Sequence, residues 1–527
     1  MSIRNVSRRR FLKLGATAGG GLIIGVNLPG CSFSGALPIE QESDGFIPHA
    51  FLQITPDNQV IFYCPSDEMG QGVRTGLATI IGEELDFHPR DMVVKAAGLH
   101  EDYANPEFGV QATGGSNAVR VFWGPLRQAG ADTRALLLNA AAQDLGVSAS
   151  ELTTDNGYII VGDDRFPYGD FVTTAAQLAM PTETPLKSNA SFKYIGNEFS
   201  RVDALAKSTG TAEFGIDADI PGMVYAVVVR APVAGARVLS VDKTAAEAMP
   251  GVVAIVPVSS GIAVVANAYW RAKNAAQVLE ISWEEIPLGQ VSSAQVRTDF
   301  EAALAEGDTV EASTQGELVA GFDAASSTLE ADYFAPFLAH TPLEPVNATL
   351  HITDNSAELW TGVQSIQGAQ GLVERLTGLP RSNIRVNNLY LGGGFGRRGT
   401  LTHIVEVTEI AMAIDKPVQL LWSREDDIRN GLYRPASLMR IKAGVTTDGI
   451  VSAWDVQRAG GNITADTLTN MLPALLPSLP SSLLNGLSGF AEYLFSQWTV
   501  DPSSVEGLHE TYDFENHRIA HATVDHG

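Results

Sequence analysis

The sequence predicts an α+β protein built from about three domains. Strand patterns with a period of two and helix patterns with a period of 3.6 both recur along the chain. The 527 residues also exceed the length over which one hydrophobic core normally forms. Hydrophobic residues make up 45% of the chain, which is enough to give each domain a core.

The first 35 residues predict an export signal. Their five basic residues precede any acid, and the glycine-rich apolar run that follows is shorter than the ~20 residues that span a bilayer. The stretch SRRRFLK, which contains Arg8 and Arg9, resembles the twin-arginine signal that exports folded proteins. We therefore expect a periplasmic protein exported folded by the twin-arginine pathway. LPGC, ending at Cys31, resembles a lipoprotein cleavage site, so a lipid anchor at Cys31 stays open as an alternative.

Charge and cysteine content exclude one class of partner and one class of cofactor. The chain has 60 acidic against 35 basic residues, so we expect no nucleic-acid partner, because a phosphate backbone is held by clustered lysine and arginine. Only Cys31 and Cys64 are present, whereas an iron–sulfur cluster takes about four cysteine ligands. We expect no iron–sulfur cluster in this chain, so any redox chemistry must pass its electrons to another chain.

Two loops of small residues stand before predicted helices in residues 36–200. Gly70, Gln71 and Gly72 precede a helix with a regular apolar side, formed by Val73, Leu77, Ile80, Ile81 and Leu85. A helix N-terminus offers free N–H groups, so this loop predicts an anion site, with a plain turn as the alternative. A second loop, ATGGS, carries Ser116 and precedes another helix. Two such loops together indicate a binding site.

The middle of the chain has a different texture. Residues 201–285 show strands, one alanine-rich helix and a closing strand, which predicts a small separate α+β domain. Residues 286–325 are acidic and lack a strong apolar period beyond one short helix, so they are predicted to be a connector. Hairpin turns are predicted at Asp57-Asn58 and at Asp448-Gly449.

Residues 326–527 contain the densest glycine run, LGGGFGRRGT, which starts at Leu391. Strands are expected before it at STLEADYFA and ATLHITDNSAELW, with a helix at IQGAQGLVERLTG and a further helix from about Thr402. The run lacks GxxxxGKS/T, and its glycines are spaced G-x-G-x-G, so neither a P-loop nor a Rossmann turn is expected. The glycines indicate that something must lie close against this backbone.

Three stretches together resemble the molybdenum hydroxylases, the xanthine dehydrogenase and aldehyde oxidase family. GGGFGRR is similar to the glycine-phenylalanine loop of that family, EMGQGVRTGL to its second cofactor loop, and residues 207–256 to its small hammerhead domain. In typical members the MGQG segment follows the GGGFG segment, whereas here it comes first. This permuted order resembles the large subunits of isoquinoline 1-oxidoreductase type and related periplasmic aldehyde dehydrogenases.

The resemblance implies an α+β molybdenum hydroxylase large-subunit architecture. After the export signal at residues 1–35, it implies a permuted N-terminal molybdopterin-binding segment at 36–200 and the hammerhead domain at 201–285. The connector at 286–325 would then lead to a first molybdopterin-binding domain at 326–527, incomplete at its C-terminus.

The resemblance also implies a cofactor and the residues that would bind it. The cofactor would be molybdopterin with molybdenum, in the cytosine dinucleotide form. The implied cofactor-binding residues are Gly70, Gln71, Gly72, Ser116, Gly394, Phe395, Gly396 and Arg397. For Arg397, a solvated loop end is the alternative to a cofactor contact. Arg434 is expected to face the substrate, with a structural ion pair as the alternative.

The family inserts an oxygen from water into an aldehyde or into a C–H bond beside nitrogen, with a glutamate as general base. The implied partners are a small [2Fe–2S] subunit and an acceptor such as a cytochrome. We find no counterpart of the glutamate segment, so we expect the base beyond Gly527 and assign neither a catalytic residue nor a metal ligand within the chain. A truncated, noncatalytic remnant or a periplasmic binding protein is the alternative function. Leu338, Ala339 and His340 stand where relatives often have Gln-Glu-His, so the glutamine that would bond the molybdenum oxo group is not placed.

Two further stretches have structural interpretations. His517, His521 and His526 lie in a segment that alternates as a strand does, which predicts surface or core histidines in place of a metal site. The stretch MLPALLPSLPSSLLNGL contains three prolines that break a spanning helix, so it predicts a hydrophobic loop over a substrate funnel or at a subunit interface.

Overall fold

The computed structural model describes residues 46–526, except residues 182, 308, 477, 498 and 509–511. The expected export signal and Cys31 lie outside the described residues. None of the described helices combines the length and the apolar character needed to cross a bilayer.

The N-terminal unit packs two helices on a four-stranded sheet of order β1-β2-β3-β4. Its elements are β1 (Phe46–His49), β2 (Leu52–Ile54), β3 (Val60–Cys64), α1 (Val73–Leu85), β4 (Val93–Ala96), α2 (Ala118–Leu145), β5 (Thr153–Asp155), β6 (Tyr158–Val161), β7 (Asp164–Pro167) and α3 (Val172–Ala175). Helix α1 begins at Val73, as predicted. Gly72, directly before it, has a positive φ of 85°, which is not a right-handed helical conformation, so the helix does not start earlier. The predicted turn at Asp57-Asn58 is confirmed by the bond from Asn58 N–H to Thr55 O.

The next segment forms α4 (Ala204–Thr209), β8 (Val224–Arg230), β9 (Val238–Asp242), α5 (Thr244–Glu247), β10 (Val252–Val258), β11 (Gly261–Ala266), α6 (Tyr269–Ala276) and β12 (Glu280–Trp283). The predicted mixture of strands and helices is present, but the segment is not separate. Strand β8 pairs in parallel with a strand of the third region, so that Val224 lies opposite Val418. One sheet therefore crosses the expected boundary, a pairing that local patterns do not reveal.

The third region continues through α7 (Ser293–Glu306), β13 (Val310–Gln315), α8 (Leu318–Asp323), β14 (Ser327–Ala335), β15 (Asn347–Ile352), β16 (Ala357–Thr361), α9 (Ile366–Thr377), β17 (Ile384–Asn388), α10 (Thr402–Ala411), β18 (Val418–Leu421), α11 (Arg424–Asn430), β19 (Ser437–Val445), β20 (Val451–Gly460), α12 (Ile463–Leu475), α13 (Ser481–Gln497), α14 (Pro502–Val505) and β21 (His517–Thr523). The seven-stranded sheet has the order β10-β11-β8-β18-β15-β16-β17. Helices α9 and α10, both predicted, contribute to its buried core. The predicted turn at Asp448-Gly449 joins β19 to β20.

A five-stranded sheet of order β13-β21-β20-β19-β14 corrects the expectation of a plain connector. Strand β13 lies in residues 286–325 and pairs antiparallel with β21. Helix α7, from the same segment, buries Phe300 in a cluster with Leu438 and Ala459. The sequence did not predict strand β13, because the strand is mostly exposed on both faces and therefore has no clear apolar alternation.

Two helices contain most of the leucine and proline stretch, which corrects the expected loop. Helix α12 contains Pro473, and helix α13 begins directly after Pro480. Helix α12 lies so close to α9 that a Cβ on Gly371 would overlap the carbonyl oxygen of Ala474. This packing holds α12 in place despite the hydrogen bond that its proline cannot make.

Candidate functional site

The EMGQG loop and the GGGFG loop are far apart in the sequence and meet in the structure. A Cβ built on Gly394 would overlap the sulfur of Met69 and lie 2.9 Å from Gln364 Oε1. Gly394 is therefore a glycine because this chain's own side chains fill the space beside it. This differs from the expectation that the cofactor fills that space.

Gln364 links the ATGGS loop, which contains Thr113, to this junction as a third loop. The sequence did not point to Gln364. Its Oε1 accepts the N–H of Gly396 at 3.1 Å, and its Nε2 donates to the carbonyl of Thr113 at 3.0 Å. The N–H of Thr113 in turn donates to Gln364 O at 2.7 Å. Gln364 stands between the end of β16 and Ser365, the N-cap residue of α9. A polar residue at such a strand-to-helix turn is the signal that could have found it.

The EMGQG loop does not offer its N–H groups to a ligand in the way that the sequence predicts. The carboxylate of Glu68 accepts the N–H groups of Gly70 at 2.9 Å and of Gly72 at 3.2 Å. The side chain of Gln71 folds back on the loop, where its Nε2 donates to Asp67 O at 2.9 Å. An anion at this helix N-terminus would have to replace Glu68, so the predicted phosphate contact through these two glycines is corrected.

Glu68 is locked in place by cations from the following segment. Arg201 Nη2 lies 2.8 Å and Lys207 Nζ 3.2 Å from Glu68 Oε1. Both cations also pair with Asp203. Burial alone would raise the pKa of Glu68, but Lys207 and the loop N–H groups hold that pKa below its ordinary value. The EMGQG loop is thus a rigid element that shapes the junction.

The GGGFG loop and the ATGGS loop have backbone N–H groups without a protein partner among the described residues. Within the described part of the chain, the N–H groups of Gly393, Gly394 and Phe395 donate to no protein oxygen, and the same holds for Gly114, Gly115 and Ser116. Positive φ angles turn successive peptides in both stretches, at 105° for Gly393 and 54° for Phe395, and at 56° for Gly115 and 50° for Ser116. Successive N–H groups in such conformations form concave anion-binding sites. The two loops therefore fit an anionic, oxygen-rich cofactor.

Phe395 and Gly396 form the open surface of the glycine run. The ring of Phe395 is 67% exposed. Gly396 has a φ of 92°, and a Cβ on it would meet only His340 Nε2, at 3.9 Å. Gly396, in contrast to Gly394, has the open space that the sequence predicts for the approach of a ligand.

The two arginines that follow turn into the interior. Arg397 is 2% exposed, donates to Thr400 Oγ1 at 2.9 Å and lies 3.4 Å from the carboxylate of Asp427. Arg398 is fully buried and pairs with Glu344 Oε2 at 2.9 Å. Burial lowers the pKa of both guanidinium groups. The structure therefore places Arg397 in the interior and excludes the solvated position considered from the sequence. Its Nε and Nη2 have no hydrogen-bond partner among the described residues, and a contact with the cofactor stays a prediction.

Arg434 lies on the rim of the junction. Its backbone exchanges hydrogen bonds with Leu338, at 2.8 Å from Arg434 N–H and 3.3 Å to Arg434 O. The residue is exposed, and no carboxylate among the residues that the structure describes lies within 4.0 Å of its guanidinium. The alternative of a structural ion pair is not what the structure shows.

The three C-terminal histidines have separate partners. His517 Nε2 lies 2.9 Å from Ser313 Oγ, His521 Nδ1 lies 3.1 Å from Arg458 O, and His526 Nε2 lies 2.9 Å from Asp299 Oδ2. Across the described ranges, no group of three or more histidine, cysteine or acidic side chains is arranged to hold a metal ion.

Family models match the two parts of the chain that contain these loops. Two family models, each describing a molybdopterin cofactor-binding domain, match residues 7–220 and 302–469. The chain is 31% identical to the beta chain of isoquinoline 1-oxidoreductase from Brevundimonas diminuta, over 76% of this chain and 57% of that protein. It is 28% identical to a membrane-bound aldehyde dehydrogenase (pyrroloquinoline-quinone) of Gluconacetobacter polyoxogenes, over 87% of this chain and 60% of that protein.

A further relative and one solved structure complete the comparison. A nicotinate dehydrogenase subunit of Pseudomonas putida is 27% identical, over 82% of this chain and 37% of that protein. The aldehyde oxidoreductase structure from Desulfovibrio gigas matches 86% of this chain and 46% of that chain, with 18% identity and a TM-score of 0.47. The chain thus spans less than two thirds of the length of these curated relatives. The two domain matches and the first relative confirm the resemblance, and the chain belongs to the xanthine dehydrogenase and aldehyde oxidase family of molybdopterin-binding large subunits.

Proposed function

We propose that this chain is the molybdopterin-binding part of an enzyme that hydroxylates an aldehyde or an N-heterocycle with water as the oxygen source. The observation that carries the proposal is the junction of three loops at Gly394, two of which keep free N–H groups. The names of the relatives support the substrate classes, since one contains isoquinoline, one nicotinate and one aldehyde.

The free N–H groups indicate which residues would bind the cofactor. Those at residues 393–395 and 114–116 would donate to oxygen atoms of molybdopterin, for which we propose the cytosine dinucleotide form. Gly396 leaves room for the approach of the cofactor, and Gln364 fixes the loop by accepting the Gly396 N–H. The bound group would supply the transferred oxygen and accept two electrons from the substrate.

The carboxylates at the junction are held by hydrogen bonds or ion pairs that position the loops. Glu68 is held by two cations and loop N–H groups, and Glu344 is held by Arg398. Asp67 accepts from Thr113 Oγ1 at 2.9 Å and from Asn388 Nδ2 at 2.6 Å. We infer that the general base is a glutamate contributed by polypeptide outside the described residues.

Electron transfer would require a partner chain. The sequence has two cysteines, fewer than one iron–sulfur cluster takes. We therefore propose a small [2Fe–2S] subunit, with an acceptor such as a cytochrome beyond it. Export through the twin-arginine pathway would place the loaded protein in the periplasm, and an anchor at Cys31 would hold it at the membrane.

The test is to express the chain alone, the chain extended through the glutamate-bearing polypeptide, and each of these with a candidate iron–sulfur subunit, in a host that makes the cofactor. Molybdenum, released cytidine monophosphate and oxidation of aldehydes and N-heterocycles with an artificial acceptor are then measured. We expect bound molybdenum cofactor, and turnover that needs the glutamate-bearing polypeptide. A folded protein that never carries molybdenum or pterin would favour a binding protein and refute the proposal.

A further inference from the structure

Helix α13 (Ser481–Gln497) has an apolar face that stays exposed. Leu483, Phe490 and Tyr493 on this face are 50%, 57% and 56% exposed. Another side of the helix packs against α12 and buries Leu484. The helix is therefore held by one side and presents large apolar groups to solvent on the other, which is typical of an interaction surface.

The exposed face has the spacing of helices that pair along their length. Steps of three, four and three residues, which is the a-d-a-d order of a heptad, define what we call the α13 seam: Leu483, Gly486, Phe490 and Tyr493. A Cβ built on Gly486 would have no heavy atom within 4 Å, so the seam has a gap between two large side chains. Because glycine weakens an exposed helix relative to alanine, this position indicates that another surface approaches closely there.

The α13 seam is complementary to itself when two copies meet antiparallel. A two-fold axis at the level of residue 488 places Gly486 of one copy opposite Phe490 of the other, because both stand two residues from 488. The same axis places Leu483 opposite Tyr493, since both stand five residues from it. Each phenyl ring would fill the gap beside a glycine, and both contacts would occur twice, as two-fold symmetry requires. Parallel pairing would instead set ring against ring and gap against gap.

The distribution of charge also favours a second copy as the occupant. The chain has 60 acidic and 35 basic residues, so two copies repel each other wherever their acidic surfaces meet. Residues 467–491 contain no charged residue, although 18% of the whole chain is charged. The seam therefore lies where two copies can approach without repulsion. It also lacks the lysine and arginine residues that would attract it to anionic lipid.

We propose that two copies of this chain associate through antiparallel pairing of their α13 helices, with Phe490 of each copy packed against Gly486 of the other. The seam extends over about three helical turns, so the contact is small. We therefore expect a reversible dimer with a Kd in the micromolar range. The inference goes beyond the proposed function and does not depend on the cofactor.

Sedimentation velocity of the purified full chain over a range of concentrations tests the proposal. We expect the mass to rise from monomer to dimer, and added salt to favour the dimer because it screens the repulsion between acidic copies. Gly486→Leu should weaken the dimer at least ten-fold although leucine favours the helix, because it fills the space that the ring needs. Phe490→Glu should weaken it at least as much. The matched controls, which should dimerise normally, make the same changes at exposed positions of α2 and α4: Gly124→Leu and Leu205→Glu.

The double variant Gly486→Phe with Phe490→Gly exchanges ring and gap, and it should restore the dimer because each ring again faces a glycine. A monomer at every concentration, a dimer that survives either single variant, or a double variant that stays monomeric while thermal unfolding shows an intact fold would overturn the proposal. So would a dimer that the glutamate-bearing polypeptide abolishes, since that polypeptide would then cover α13. Monomeric protein that binds phosphatidylcholine vesicles, and loses this binding in Phe490→Glu, would overturn it in favour of a membrane contact.

Discussion

Gly394 and Gly396 stand two positions apart and have different physical requirements. Gly394 is buried between Met69 and Gln364, while Gly396 is exposed with a φ of 92°. We predict that Gly394→Ala lowers the free energy of unfolding by about 1–3 kcal/mol through overpacking. Gly396→Ala should cost about 1 kcal/mol, through its left-handed backbone alone. Urea unfolding of both variants measures this, and a larger loss at Gly396 would contradict the geometry.

His521 makes stability depend on pH. Burial and Arg458 lower the pKa of His521 to about 4, and Nε2 has no protein partner within the described residues. The unfolded chain binds this proton near pH 6.5, so stability is fully present above pH ~6.5 and is lost as the pH falls toward 4. The loss should reach about 3 kcal/mol, and His521→Asn should remove it. Urea unfolding at pH 7 and pH 4.5 checks this.

The control for His521 is His351→Asn, which changes a partly exposed histidine on β15. It should unfold with the same pH dependence as the unmodified protein. If His521→Asn also keeps that dependence, the buried imidazole is not its source. The sequence pattern placed His521 in a strand, but its neutral state follows from burial beside Arg458, which only the fold shows.

At the scale of elements, the residue at which a helix begins can be predicted from the local sequence pattern. The group that accepts the free N–H groups at the N-terminus of the helix cannot. Val73 begins α1 as the apolar spacing indicates. The carboxylate of Glu68 then takes the N–H groups that would otherwise await an anion, because Arg201 and Lys207 arrive from a distant segment to hold it. The same limit explains the error at α12, where packing against Gly371 outweighs the proline.

Glu83 on α1 fixes the segment that follows α3. Its carboxylate accepts the N–H groups of Lys193 at 3.0 Å, Tyr194 at 2.7 Å and Ile195 at 3.1 Å. This segment walls a cleft of about 770 Å³ against α1 and α2. We predict that Glu83→Ala leaves these N–H groups unsatisfied, lowers the free energy of unfolding by about 3 kcal/mol and exposes residues 193–200 to protease.

Urea unfolding and limited proteolysis with mass spectrometry check the Glu83 prediction. The matched control is Glu101→Ala, an exposed carboxylate in the same unit, which should change the free energy of unfolding by less than about 0.5 kcal/mol. An unchanged cleavage pattern in Glu83→Ala would show that other contacts hold the segment.

At the scale of the whole molecule, the family and the two glycine loops could be recognised from short motifs, since each motif is local. Their meeting through Met69, Gln364 and Gly394 could not, because it depends on long-range packing. The seven-stranded sheet is a second example. Its parallel pairing of β8 with β18 joins two regions that composition separates. The partner of Gln364, Thr113, lies in a loop about 250 residues away, so the sequence alone could not pair the two.

Export is also a property of the whole chain, and it stays a prediction from the sequence. Replacing Arg8 and Arg9 by lysine should trap the precursor in the cytoplasm with its signal attached, because the twin-arginine pathway reads that pair. Cell fractionation and the N-terminal mass of the protein measure the outcome. Normal export of the double variant would contradict the twin-arginine interpretation.

The central claim is that the loops meeting at Gly394 form one molybdopterin site, and the pterin content of the purified chain tests it most directly. We predict that the unmodified chain, made in a host that synthesises molybdopterin, retains pterin detectable by fluorescence after oxidation. Gly396→Val should reduce that content at least ten-fold while the fold survives, because it places a branched side chain on the open surface of the loop. The control Gly124→Val, at an exposed helix position with open space around it, should keep the pterin. No pterin above the host background, or equal pterin in Gly396→Val, would contradict the account.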